Sequence, residues 1–119
     1  MGDDAAASLR EPPVRGLERR GDALVVRLGG ELDLYNADEV RSVLAEAIDG
    51  GTRLIVVDLT EVEFVDSTAL GVLLEARSRL GPDGLALANP GLEIRRALEV
   101  SGIDRHLAVH DSVDGALDR

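Results

Sequence analysis

The stretch Leu54-Ile55-Val56-Val57-Asp58-Leu59-Thr60-Glu61-Val62-Glu63-Phe64-Val65-Asp66-Ser67 carries the decision about the fold. Its first six residues are a short apolar run flanked by helix-like segments. Such a run reads as a central strand of a parallel sheet, buried on both faces because crossover helices cover each side. Residues 60–66 then read as a loop, and a helix is predicted over 67–80, stopped by Gly81-Pro82. Leu70, Leu73, Leu74 and Leu80 mark its expected buried face. Gly71 lies inside that helix at a cost of about 1 kcal/mol relative to Ala, which close packing on the sheet would explain.

Upstream, residues 14–19 and 23–29 read as two strands around Arg20-Gly21-Asp22, a hairpin turn, with a further extended piece over 30–34. Asn36 is a predicted helix N-cap, with Glu39 placed as its capping-box partner. Val40, Val43, Leu44, Ala47 and Ile48 recur at helical spacing and predict one buried face, ended by Gly50-Gly51. Downstream, residues 85–88 read as a strand. Asn89-Pro90 opens a third helix with Ile94, Ala97 and Leu98 inward, closed by Gly102 with Ile103 as its hydrophobic contact. Residues 106–109 form a last predicted strand, and Asp111-Ser112 caps a short helix reaching Leu117. The order β-β-α-β-α-β-α-β-α predicts an α/β domain: a single mixed, mostly parallel sheet with an antiparallel edge hairpin and four helices. Residues 1–13 read as a flexible N-terminal tail and 14–119 as the domain.

Composition narrows the function. A chain of 119 residues suits one domain, and with aromatics at 2% its core must be aliphatic. The 23 acidic residues outnumber the 13 basic ones, leaving a net charge of −10. That surface repels phosphate backbones and anionic membranes, so neither nucleic acid nor a membrane is an expected partner. The absence of cysteine excludes disulfides, thiolate zinc sites and thiol nucleophiles. No apolar run approaches membrane-spanning length and the start lacks a signal pattern, which predicts a cytoplasmic protein.

In open α/β sheets, sites form beyond the carboxyl ends of the strands. Two segments lie there, residues 31–36 before the first helix and 60–67 before the second. Ser67, after Asp66 at a helix start, reads first as an N-cap. A cap hydroxyl near the surface can also be phosphorylated, and the helix N-terminus favours the added charge. Asp33, Glu61, Glu63 and Asp66 are expected to crowd the same end. A phosphate brings about −1.5 to −2 further charge to that acidic patch, enough to repel an acidic partner surface or open a close-packed interface.

Residues 57–73, with Asp66-Ser67-Thr68-Ala69-Leu70-Gly71 at their centre, closely resemble the phosphoacceptor region of bacterial anti-sigma factor antagonists, members of the STAS family. Gly30-Glu31-Leu32-Asp33 resembles the family's second marker, and the similarity runs on through the helix Arg95-Arg96-Ala97-Leu98-Glu99-Val100-Ser101-Gly102. The resemblance implies the STAS fold and a partner-switching protein. In that family an unphosphorylated antagonist binds an anti-sigma factor and frees a sigma factor. The anti-sigma factor is often a serine kinase that phosphorylates and so releases the antagonist, and a PPM-type serine phosphatase reverses the mark. By the same resemblance Ser67 is the phosphoacceptor, and Asp33, Asp66, Thr68, Ala69 and Leu70 form the partner-binding set. Ala69 departs from the Gly of many relatives and adds one methyl beside the acceptor. The other reading that the resemblance allows is a STAS subunit of a transporter or stress-signalling scaffold.

Nothing in the chain reads as an enzyme. There is no Gly-x-Ser-x-Gly elbow for Ser67 as nucleophile, and no Gly-x-Gly-x-x-Gly or Walker pattern for a nucleotide. His106 and His110 would share one face of the predicted last strand, without a third ligand for a metal. No cofactor is expected.

Overall fold

The computed structural model describes residues 10–118. Alternation of strand and helix in the sequence becomes β1 (Val14–Arg20), β2 (Ala23–Leu32), α1 (Ala37–Asp49), β3 (Leu54–Val65), α2 (Ser67–Leu80), β4 (Leu85–Ala88), α3 (Leu92–Ser101), a 3-10 turn (Ile103–Arg105), β5 (Ala108–His110) and α4 (Val113–Leu117). The strands form one sheet in the order β1-β2-β3-β4-β5. The β1–β2 hairpin is antiparallel and every other pair parallel, as the order of elements predicts. β3 lies in the middle, and its Ile55, Val56 and Val57 are wholly buried.

The period of two along each strand divides the core. Leu24, Val26 and Leu28 of β2, Ile55, Val57 and Leu59 of β3, and Leu85 and Leu87 of β4 face one way. They pack with α1, α2 and α3 in a single aliphatic cluster. Val25, Val56, Ala86 and Ala88 face the other way and are covered by Ala116 of α4. At about 1.5–3 kcal/mol for each large aliphatic side chain removed from water, this two-sided burial is the main source of stability.

Four local expectations are corrected. Residues 60–65 are not a loop but the second half of β3. β2 runs on beside them, with Gly29, Gly30, Glu31 and Leu32 paired to Glu61, Val62, Phe64 and Val65 across two register shifts. Gly30 sits at φ +73°, and a Cβ there would approach Arg15 Nη2 to 2.9 Å, so the irregular stretch needs glycine. Within α2 the buried residues are Ala69, Val72, Leu73 and Ala76, whereas Leu74 is 37% exposed. Leu70 and Leu80 are partly buried against the core beside Leu73, as expected, and Leu74 alone of the four leucines turns outward while Ala69 and Ala76 complete the buried face. Gly71 is exposed and has no atom within 4 Å of the position a Cβ would take, so packing does not explain it. Finally, the 3-10 turn delays the last strand to Ala108, and the His106 N–H donates to the Ile103 carbonyl at 2.9 Å. His106 therefore precedes β5, and the two histidines do not share a strand face.

Of the expected tail, residues 1–9 lie outside the described residues. Pro13 is buried, and its carbonyl accepts from the Gly29 N–H at 3.0 Å. α3 starts at Leu92 with Gly91 as N-cap, a little after Asn89-Pro90. Gly102, at φ +78°, closes it as predicted, with Ile103 buried behind.

Gly71→Ala should raise stability by about 1 kcal/mol, or roughly 4 °C in Tm, because the new methyl meets nothing and the unfolded chain loses freedom. Thermal unfolding checks this, and a lower Tm would mean that α2 is more tightly covered at Gly71 than described.

Candidate functional site

β2 and β3 end level with one another, since Leu32 and Val65 are register partners. The next residues in the two chain segments are Asp33 and Asp66, and the shared register therefore brings the two aspartates to one end of the sheet. The Asp66 N–H still donates to the Leu32 carbonyl, at 3.0 Å. Beyond this point the chain enters α1 on one side and α2 on the other.

Asp66 ties these two helix starts together. Its backbone is extended, at φ −102° and ψ 178°, as an N-cap requires. Oδ1 accepts from the Ala69 N–H at 3.0 Å and closes the first turn of α2. Oδ2 accepts from the Leu34 N–H at 3.1 Å and pins the loop between β2 and α1. The cap of α2 is thus Asp66, not Ser67. A Ser at the first helical position after an Asp and a Ser at the cap itself look alike in sequence.

The β2–α1 loop has its own internal frame. Asn36 is buried, and its side chain makes no cap bond to α1. Instead Oδ1 accepts from the Asp33 N–H at 2.9 Å and Nδ2 donates to the Glu31 carbonyl at 2.8 Å. The predicted capping box with Glu39 is therefore replaced by a staple across the loop, which satisfies backbone groups that burial would otherwise strand. The Asp33 carboxylate accepts from the Tyr35 N–H at 3.0 Å and from Arg10 at 3.2 Å.

A third connection borders the site and was not read from the sequence. Thr60 Oγ1 donates to Asp58 and accepts from Asn89 Nδ2 at 3.0 Å. The Asn89 N–H donates to the His110 carbonyl at 2.8 Å, and Asn89 holds φ +53°. Asparagine tolerates that left-handed conformation better than most residues. These contacts hold the start of the β4–α3 connection against β3.

On this framework Ser67 is exposed, and among the described residues its hydroxyl has no hydrogen-bond partner. Thr68 is exposed beside it, Leu70 is half-buried, and Ala69 faces inward at 5% exposure. Three large apolar side chains also stand in water at this end: Leu34 at 61%, Tyr35 at 82% and Phe64 at 50%. The arrangement offers a free hydroxyl to an external enzyme at a helix N-terminus, where the first-turn N–H groups lack intrahelical partners and favour an anion. Among the described residues no three His, Asp or Glu side chains gather in a way that could hold a metal ion.

The two neighbouring residues should therefore part company on mutation. Asp66→Ala removes two charge-assisted hydrogen bonds and should cost about 1–3 kcal/mol. Ser67→Ala, which removes none, should stay within about 0.5 kcal/mol of the parent. Urea midpoints decide the matter; equal losses would return the cap to Ser67.

The sequence model of the STAS domain matches residues 16–116. The chain is 33% identical over 104 residues to the anti-sigma F factor antagonist of Paenibacillus polymyxa, across 85% of this chain and 89% of that protein. It is 33% identical over 91 residues to the anti-sigma-B factor antagonist of Staphylococcus aureus, across 75% and 84% of the two. The anti-sigma factor antagonist SpoIIAA of Bacillus has a similar structure. In its unphosphorylated form the TM-score is 0.74 at 27% identity, across 87% of this chain and 93% of that one. In its phosphorylated form the score is 0.66 at 28% identity, across 87% and 96%. With the family model matching most of the chain, this chain belongs to the STAS domain family.

Proposed function

We propose that this protein is an anti-sigma factor antagonist that binds an anti-sigma factor with serine kinase activity and is released when that kinase phosphorylates Ser67. The observation that carries the reading is the exposed, unbonded Ser67 hydroxyl on a helix start whose cap is supplied by another residue. Modification there breaks no hydrogen bond among the described residues. The names of the relatives and the phosphorylated form of SpoIIAA support the same reading.

The switch acts at the interface. In water the phosphate dianion is hydrated and lies at the favourable end of the α2 dipole, so the monomer tolerates it. Under a partner it must be desolvated beside Asp33 and Asp66, which is costly without a new cation. In the partner-binding set, Asp33, Thr68 and Leu70 supply contact. Asp66 and Ala69 act from beneath, one by capping α2 and the other by seating its first turn on the core. A PPM-type serine phosphatase restores the binding form. The protein works in the cytoplasm as a binding module and turns over no substrate.

The test is to incubate the protein with the cognate anti-sigma factor kinase and ATP, map the phosphate, and titrate each form. Phosphate should appear on Ser67 and abolish tight binding. Ser67→Ala should bind and resist release, Ser67→Asp should bind poorly, and Asp33→Ala should lose affinity with little change in Tm. Phosphate on Thr68 with Ser67 unmodified, or equal affinity of both forms, would sink the proposal.

A further inference from the structure

The end of the sheet away from Ser67 carries a separate group of charged side chains. Ala23 and Leu54 are register partners at the starts of β2 and β3, so Asp22 of the hairpin turn and Arg53 of the α1–β3 connection lie side by side there. Arg19 pairs with Leu24 across the hairpin. Antiparallel partners share a face of the sheet, and Leu24 belongs to the cluster packed against α1, so Arg19 projects on the side of α1. Arg19, Asp22, Thr52 and Arg53 line one groove of about 470 Å³, a size that admits a small molecule. Its remaining walls are glycines, which leave it open. Asp22 and Arg53 also line an adjoining groove of about 410 Å³, whose apolar walls are Ala23, Leu54 and Leu117.

The polar groups of the first groove lack partners. Neither Arg19 nor Arg53 has an ion pair or a side-chain hydrogen bond among the described residues, on a chain with 23 acidic residues where Arg10, Arg15, Arg20, Arg41, Arg79 and Arg95 are all paired. An arginine beside a helix end commonly serves only to bind its last carbonyls, but these two bind none of α1. Thr52 is 5% exposed, and its hydroxyl is buried without a hydrogen-bond partner among the described residues. Folds seldom leave a buried polar atom in that state. The Thr52 N–H donates to the Ala47 carbonyl at 3.0 Å, so the connection that presents the hydroxyl is itself fixed.

Two guanidinium forks with a hydroxyl are suited to an oxyanion. Asp22 leaves the lining with two arginines against one carboxylate, which favours a monoanion over a phosphate dianion. The apolar groove alongside suits a short hydrocarbon body. We propose that this pole of the sheet binds a small aliphatic carboxylate, its head held by Arg19, Arg53 and the Thr52 hydroxyl and its body laid over Leu54 and Leu117. The carboxylate supplies the acceptor that Thr52 lacks. The site is remote from Ser67 and does not depend on the anti-sigma factor reading.

The experiment follows the amide chemical shifts of the unphosphorylated protein by NMR as hexanoate, acetate, hexyl phosphate or hexylammonium is added. Hexanoate should give saturable shifts at Gly21, Gly51, Thr52 and Leu117. Acetate should bind about tenfold or more weakly, because it leaves the apolar groove empty. Hexylammonium should not bind. Arg19→Gln and Arg53→Gln should each weaken hexanoate about tenfold or more at unchanged Tm. Arg96→Gln, at an exposed arginine of α3 that is likewise unpaired among the described residues, should match wild type. Thr52→Val should bind hexanoate more weakly yet melt no lower, since it removes a hydroxyl that the free fold leaves unpartnered. Hexylammonium binding as tightly as hexanoate, or hexyl phosphate binding more tightly, would overturn the carboxylate assignment. No saturable shift at these amides, or hexanoate binding unaltered in Arg19→Gln and Arg53→Gln, would overturn the site.

Discussion

The site depends on one carboxylate that serves two chain segments. Asp66 gives one oxygen to the Ala69 N–H in α2 and the other to the Leu34 N–H in the loop before α1. Neither segment is adjacent to the other in sequence, and parallel pairing of β2 with β3 is what brings them level. An aspartate can do this because its ionised carboxylate is an acceptor at both oxygens, whereas a serine hydroxyl would reach one N–H at most in the same place. With the cap supplied from Asp66, the next residue is released from structural work, and Ser67 presents an unbonded hydroxyl on a fixed backbone.

That division explains how a charged modification can change binding without changing the fold. The two bonds of Asp66 are charge-assisted and stronger than neutral ones. Beneath them the strand ends continue into Val62 and Leu32, both buried, so the platform is anchored in the aliphatic core. The loop on the other side is braced by Asn36 from within. In the proposed switch, a phosphate on Ser67 would add charge above this platform, hydrated in the free protein and set against a desolvated, acidic surface in a complex, so that the cost would fall on association.

Much of this was legible in the sequence, and the failures have physical causes. The central strand declared itself because residues 54–59 are apolar on both faces, and α1 because its apolar residues recur at helical spacing. Ser67, Asp33 and Asp66 could be brought to one end of the sheet from the order of elements on the condition, met in the structure, that β2 and β3 are neighbours. The second half of β3 was hidden because Glu61 and Glu63 flank buried Val62 in a stretch that pairs with residues 29–32 of β2 only across two register shifts. Register of that kind is a long-range property. The face of α2 was read correctly at Leu70, Leu73 and Leu80 but wrongly at Leu74, and the small Ala69 and Ala76 that share it were passed over because large leucines outweigh alanines in a periodicity count. The Asn36 staple and the link from Thr60 to Asn89 depend on which backbone groups the fold leaves facing them, which no local spacing encodes.

The central claim is that Ser67 stands on a rigid platform and that its phosphorylation alters a surface rather than a structure. Amide hydrogen exchange on the unphosphorylated and Ser67-phosphorylated proteins tests it most directly. The account predicts unchanged protection along β2, β3 and the body of α2, with differences confined to the first turn of α2 and no loss at Leu34 and Ala69, whose N–H groups Asp66 holds. Loss of protection at those two amides, or spreading into the sheet, would show that the phosphate unfastens the platform and would contradict the account.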